Sequence, residues 1–122
     1  SPIAGGVVSG KYNQAEIPEN CRFGDYLAGR DPRQQAMATR FVNEATLAST
    51  AQYLEIARDL SMSPVTLATA WSMNFDYVAS TMIGARTADQ LEESLAALEV
   101  SLSDELMQRC DEVHKQHPYP MG

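Results

Sequence analysis

The clearest hydrophobic pattern of the chain lies at residues 43–60, where apolar side chains recur every three or four positions. Two parallel rows, one through Leu47 and Leu54 and one through Tyr53 and Leu60, form a single broad apolar stripe, which is typical of an amphipathic helix. Asn43 is expected to cap its start. The next residue, Glu44, carries a negative charge that interacts favourably with the helix dipole.

A second helix is predicted directly after the first, so that residues 43–76 form a helical region. Ser63 suits the N-cap and Pro64 the first helical position, where a missing backbone N–H costs nothing. We expect this helix to run to about residue 74 and to bury Leu67, Ala68 and Trp71.

Residues 77–83 form a short, nearly uncharged apolar run that Gly84 ends. Such a run predicts a strand covered on both faces. The helices of 87–116 follow: Thr87 and Gln90 have the spacing of a capping box, and Ser103 is expected to cap the last helix. Leu106, Met107, Cys110 and Val113 are expected on the inner face of that helix.

The first third of the chain has no apolar periodicity. Residues 1–12 carry three glycines and predict a loop at which the backbone approaches a ligand closely. Residues 13–42 are punctuated by proline and glycine and predict a long, mobile, irregular loop. A single buried strand cannot form a sheet, so we expect the rest of the fold, or another chain, to cover it.

Composition and charge exclude several classes of protein. With 44% hydrophobic and 20% charged residues the chain has globular composition, and its net charge of −7 disfavours nucleic acid as a partner. No apolar run approaches the roughly 20 residues of a membrane span. Cys21 and Cys110 are the two cysteines, and free thiols in the cytoplasm are the favoured interpretation, with a disulfide as the alternative.

The segment with the most specific chemistry is 80–94, STMIGARTADQLEES. A strand leads through a glycine turn into a capped helix, and free N–H groups at a helix start favour a phosphate. Arg86 adds a planar fork that suits phosphate oxygens. From the residues alone, a solvated arginine on a plain turn is an equally good interpretation.

The sequence GARTADQLEES resembles the aldo-keto reductase signature Gly-Ala-x-x-x-x-Gln-Leu-x-Glu-Asn, which follows the eighth barrel strand and surrounds the adenosine 2′-phosphate of NADP. The sequence SPIAGGVVSGKY resembles the segment after the seventh strand of that family. The intervening helices and the closing helix follow the family's order over essentially the whole chain. The resemblance implies an α/β fold, the C-terminal portion of a (β/α)8 TIM barrel, mostly helical within these residues.

The resemblance also implies NADP-binding positions. Arg22 falls in a loop where relatives place a basic residue over the phosphates, and Arg40 competes for that role. Ser94 departs from the family's Asn, which puts its adenine contacts in doubt. The implied cofactor-binding residues are Ser1, Pro2, Ile3, Ala4, Gly5, Lys11, Arg22, Gly84, Ala85, Arg86, Thr87, Gln90, Glu93 and Ser94.

No catalytic residue is assigned, because the family's Asp, Tyr, Lys and His come from earlier strands. The adjacent Lys11 and Tyr12 match a Gly-Lys-Tyr motif instead. His114 and His117 have no metal-ligand pattern around them, so no metal is expected. The implied function is a part of an oxidoreductase that reduces a small aldehyde or ketone with NADPH. A truncated, non-catalytic protein or a cofactor-sensing regulatory subunit, in the manner of the family's potassium-channel β-subunits, remains the alternative.

Overall fold

In the computed structural model, which describes residues 1–121, six α-helices and two 3₁₀ helices follow one another in these described residues. The α-helices are α1 (Arg22–Ala28), α2 (Pro32–Phe41), α3 (Glu44–Asp59), α4 (Pro64–Met73), α5 (Ala88–Leu95) and α6 (Asp104–Gln116). The 3₁₀ helices cover Ala4–Ser9 and Ala96–Glu99.

The helices α3, α4 and α6 confirm the sequence pattern, because their local start signals are formed. The Asn43 side chain accepts from the Thr46 N–H at 3.0 Å, and the Thr46 hydroxyl accepts from the Asn43 N–H at 3.1 Å. Ser63 accepts from the Val65 N–H at 3.2 Å, with Pro64 at the first helical position. Ser103 caps α6 in the same way, with Leu106 as the donor.

The prediction of an irregular loop at 13–42 is wrong for α1 and α2. Asp31 caps α2 by accepting from the Arg33 N–H at 2.9 Å, and Pro32 occupies its first turn. In α1 a glycine is required for packing, since a Cβ on Gly24 would lie 2.8 Å from the Cys21 sulfur. The proline and glycine that suggested a loop therefore start one helix and pack another.

Two apolar clusters hold these elements together. The N-terminal cluster consists of buried Val7, Tyr12, Cys21, Phe23 and Ala38. In it the Phe23 ring stacks on Phe41 with centroids 5.1 Å apart. The helical cluster, between α3, α4 and α6, consists of Ile56, Ala57, Leu67, Leu106, Cys110 and Val113. Both cysteines are free thiols.

Residues 77–83 differ from the strand that was predicted there. No strand forms there: Tyr77 lies in a turn, the residues after it are irregular, and the described residues 1–121 contain no strand with which they could pair. Trp71, expected in the core, is 36% exposed, and its ring packs edge-on against Phe75 at 4.8 Å. In the described residues no helix is both long and apolar enough to cross a membrane.

Candidate functional site

A cavity of about 700 Å³ lies between the N-terminal segment and the start of α5. This volume is within the range of ligand pockets. The cavity brings together two segments that are more than 70 positions apart in the sequence. It is lined by every residue implied by the resemblance except Ala4, namely Ser1, Pro2, Ile3, Gly5, Lys11, Arg22, Gly84, Ala85, Arg86, Thr87, Gln90, Glu93 and Ser94.

Ala4 is the position that the structure does not bring to the cavity lining. It has φ of +47°, and it packs against the N-terminal cluster. The next two residues, Gly5 and Gly6, have φ of +67° and +101°. This left-handed backbone is open to glycine and strained for other residues. Both glycines line the cavity, and a Cβ on Gly5 would lie 2.8 Å from the Phe23 ring.

Lys11 contributes a cation to this side of the cavity. A Cβ on Gly6 would lie 2.8 Å from the Lys11 amino nitrogen, so the absence of a side chain there lets the lysine lie against the backbone. The same nitrogen is 5.2 Å from the centroid of the Tyr12 ring, at cation–π distance.

The opposite side of the cavity is the start of α5. The Thr87 hydroxyl accepts from the Gln90 N–H at 3.3 Å. The Gln90 side chain accepts from the Arg86 N–H at 2.9 Å, one residue earlier than the predicted capping box requires. The remaining first-turn N–H groups have no intrahelical acceptor, which leaves them available to an anion.

Three cations, on Lys11, Arg22 and Arg86, line this one cavity of a chain whose net charge is −7. Of the two arginines that competed for the phosphate loop, the structure places Arg22 at the cavity. Arg40 lies elsewhere, donating to the Met121 carbonyl at 2.9 Å. An oppositely charged ligand is therefore favoured at the cavity.

Glu93 and Ser94 line the cavity but are already engaged within the protein. The Glu93 carboxylate accepts from the Ser63 hydroxyl at 3.3 Å, and its backbone carbonyl accepts from Thr66 at 2.7 Å. Ser94 is buried, and its hydroxyl donates to the Gln90 carbonyl at 3.1 Å. The Glu93 contacts fix α5 against α4. The bond within α5 leaves the Ser94 hydroxyl little hydrogen-bonding capacity for a ligand.

Tyr12 is a structural residue in this geometry. It is 2% exposed, and its hydroxyl accepts from the Phe23 N–H at 3.2 Å. Burial raises the pKa of Tyr12 to about 12. The phenol is not part of the cavity lining, so it has no access to a ligand there.

The two histidines lie at the end of α6, away from the cavity. The His117 ring nitrogen Nε2 is 2.9 Å from the Gln52 amide nitrogen on α3, and His114 packs edge-on against Tyr119 at 6.1 Å. Among residues 1–121 no group of three or more His, Cys, Asp or Glu side chains is placed to hold a metal ion.

Sequence reasoning missed six residues that line the cavity. Val65 and Thr69 are one turn apart on α4, and this spacing, which puts them on the same face of the helix, was the signal that could have identified them. Gly6 and Ile83 adjoin residues that had been identified. Nothing in the sequence marked Ser9 or Asn20 as lining residues.

Comparison with known proteins points to one family. The model of the aldo/keto reductase family matches residues 1–115. The chain is 32% identical over 115 residues to Protein tas of Escherichia coli (strain K12), an alignment that covers 94% of the chain and 31% of that protein. It is 34% identical over 101 residues to L-glyceraldehyde 3-phosphate reductase of the same organism, covering 80% of the chain and 27% of the relative.

A third relative is named as a subunit of a potassium channel. The putative voltage-gated potassium channel subunit beta of Schizosaccharomyces pombe is 30% identical over 115 residues, which cover 93% of the chain and 32% of that protein. The chain thus spans between 27% and 32% of the length of these three relatives.

Proposed function

Because the chain belongs to the aldo/keto reductase family, we propose that it is part of an NADP-dependent oxidoreductase that reduces aldehydes or ketones. Its own contribution is to hold the phosphates and the adenosine of the cofactor. The observation that carries this proposal is the single cavity at which both glycine-containing segments and three cations meet.

The residues present fit a dinucleotide phosphate. The Gly5–Gly6 backbone with Lys11 and Arg22 would hold the pyrophosphate, because the glycine turn permits close approach and both cations face the cavity. Arg86 and Thr87 with the first turn of α5 would hold the 2′-phosphate. At Gly84 a Cβ would meet nothing within 4 Å, so the backbone there is open toward a ligand.

The hydride for the reduction is supplied by the nicotinamide of NADPH when that cofactor is bound. The residues of this chain bind and orient the opposite end of the dinucleotide. We do not assign Tyr12 as the proton donor, because its buried phenol accepts a backbone hydrogen bond and its pKa is raised. We also propose a small carbonyl substrate and the cytoplasm as the location.

The test is Arg86→Ala in the longest natural chain that contains these residues. Hydrogen bonds to a charged group contribute about 1.5–3 kcal/mol, so NADP should bind roughly one to two orders of magnitude more weakly. NAD, which has no 2′-phosphate, should bind nearly as before. Titration of both cofactors by fluorescence quenching measures the two affinities.

Arg58→Ala is the matched control, because Arg58 is an exposed arginine of α3 that does not line the cavity. It should change neither affinity. Equal losses of NAD and NADP in Arg86→Ala would contradict the assignment of Arg86 to the 2′-phosphate, and no loss for either would make Arg86 a solvated side chain.

A second candidate is a non-catalytic truncated protein or a cofactor-sensing regulatory subunit. The similarity to a protein named as a potassium channel subunit beta favours it. The same NADP titration, accompanied by NADPH consumption with a panel of aldehydes, separates the candidates. Tight NADP binding without turnover in the longest natural chain would support the regulatory subunit.

A further inference from the structure

The guanidinium of Arg86 is held by the backbone of a loop on the other side of the cavity. Its Nη1 donates to the carbonyl oxygen of Asn20 at 3.1 Å, across 66 positions of sequence. Both residues line the cavity. The contact therefore joins the turn before α1 to the turn before α5.

The direction of the Asn20 carbonyl depends on an uncommon backbone conformation. Asn20 has φ of +58°, in the left-handed region. Asparagine and glycine occupy this region readily, whereas a β-branched residue is strongly disfavoured there. The residue type at position 20 thus controls whether its carbonyl can point toward Arg86.

The turn that presents this carbonyl is anchored on both sides. The Cys21 thiol, which is buried, donates to the Pro18 carbonyl at 3.0 Å. The turn also packs tightly on α1, since a Cβ on Gly24 would lie 2.8 Å from the Cys21 sulfur and 3.0 Å from a methyl carbon of Ile17. These contacts restrain the turn, so its carbonyl can orient the arginine, and the same hydrogen bond links the turn to the start of α5.

The chemistry of the contact preserves the charge of Arg86. A neutral carbonyl occupies one of the five N–H donors of a guanidinium and leaves the others available. A carboxylate partner would neutralise the cation, but within residues 1–121 no carboxylate forms a salt bridge with Arg86. A side chain that is held in place before its ligand arrives loses less freedom on binding.

We propose that Asn20 is a positioning residue for Arg86: its carbonyl holds the guanidinium in the cavity and thereby sets the preference for NADP over NAD. The inference rests on the proposed function and adds to it a residue with no side-chain contact to the phosphate. Asn20 acts through its backbone conformation alone.

The test compares Asn20→Val with Asn20→Gly, in the longest natural chain that contains these residues. Valine disfavours the left-handed conformation and should weaken NADP binding by about threefold to tenfold, with NAD affinity changed by less than about twofold. Glycine accepts that conformation and should leave both affinities within about twofold of the wild type. Circular dichroism and the melting temperature establish that both variants are folded.

Each outcome of these titrations decides a separate question. A wild-type chain with no preference for NADP overturns the proposed function and this inference with it. A wild-type preference that persists in Asn20→Val overturns the positioning role alone. Equal weakening of NAD and NADP in Asn20→Val also overturns it, because a general disturbance of the cavity would have that effect.

A measurement without cofactor tests the contact itself. Arg86→Ala should accelerate amide hydrogen exchange at 17–21, since the turn loses its link to the other side of the cavity. Arg58→Ala, in α3 and outside the cavity lining, should leave that exchange unchanged. Identical exchange of the turn in wild type and Arg86→Ala would show that the arginine does not hold the turn, and would overturn the proposal.

Discussion

The helical cluster and the segment 74–87 are both rich in apolar residues, yet they have opposite surroundings. In the cluster, Leu67 is 3% exposed and Cys110 is 4% exposed. In the segment, Tyr77 is 82% exposed and Met82 is 84% exposed. Apolar composition alone therefore does not produce burial, because burial also requires another part of the fold to pack against the apolar side chains.

The facing surface exists for the helices within the chain itself. The stripe of α3 meets α4 and α6, so that the three helices cover one another. The segment 74–87 has no comparable neighbour among residues 1–121, although its aromatic rings pack against one another, with Phe75 and Tyr77 stacked at 5.3 Å. The cavity borders both α4 and the segment 74–87, since Val65 and Ile83 line it.

The largest expected effect is the loss of unfolding free energy when one apolar side chain of the helical cluster is truncated. Truncation of an apolar side chain in the segment 74–87 provides the comparison. Leu67→Ala should cost about 2–5 kcal/mol of unfolding free energy, because it opens a cavity in the core. Met82→Ala should cost less than about 0.5 kcal/mol, since its side chain already faces water. Urea denaturation followed by circular dichroism measures both values.

Equal losses of unfolding free energy in Leu67→Ala and Met82→Ala would contradict this difference between the two regions. A longer natural chain sharpens it further: a cost of Met82→Ala that rises to the core value there would show that additional residues cover the segment, as the prediction of a buried strand requires.

A second contrast lies within the cavity, between its two glycine turns. Gly5→Ala should destabilise the protein by about 2 kcal/mol, because an L-residue is strained at φ of +67° and the new Cβ would lie 2.8 Å from the Phe23 ring. Gly84→Ala should be nearly neutral, since nothing lies within 4 Å of its Cβ position. Equal melting temperatures for the two variants would contradict this difference.

How far the sequence predicted the fold depends on how local each signal was. Helices α3, α4 and α6 each have a cap, and α3 and α6 also have an apolar stripe; both signals act within a few residues. Helix α2 was missed although Asp31-Pro32 is a start signal, because the helix buries little beyond Ala38. The outcome at Trp71 could not be predicted, since it depends on what faces the helix.

The positions implied by the resemblance line one cavity, with the exception of Ala4. Residues such as Lys11, Arg22 and Arg86 were identified by resemblance, and the structure brings them to one place. Their role as cofactor ligands stays a prediction. The contact of Arg86 with Asn20 was beyond sequence reasoning, because a backbone carbonyl carries no residue-specific signal and its direction depends on the local backbone conformation.

Alkaline pH should act on the two clusters through two tyrosines, Tyr12 buried within the N-terminal cluster and Tyr53 packed, partly buried, against the helical cluster. Burial raises the pKa of Tyr12 and of Tyr53 to about 12, from 10.0. Because the folded state favours the neutral phenol, this stabilisation is complete below pH 10 and is lost as pH rises through about 12. Unfolding should therefore accompany tyrosinate formation, measured together by circular dichroism and ultraviolet absorbance.

Tyr12→Phe isolates the contribution of the N-terminal cluster. At neutral pH it should cost about 1 kcal/mol, because the Phe23 N–H loses its acceptor. Above pH 12 the difference from the wild type should narrow, since the wild type then must bury a charged phenolate. A constant difference between pH 8 and pH 12.5 would contradict a buried, neutral Tyr12.

The smallest expected effect concerns the ion pair between α3 and α6. Arg109 Nη2 and Asp59 Oδ2 are 2.7 Å apart, with side chains 39% and 59% exposed. An exposed pair of this kind contributes about 0.2–1 kcal/mol, because water screens it and two long side chains must be ordered. Arg109→Gln should therefore lower the unfolding free energy by no more than this amount, and 1 M NaCl should remove most of the difference. If the variant cost as much as Leu67→Ala, the helical cluster would be held by charge as strongly as by apolar burial, contrary to its comparison with the exposed segment.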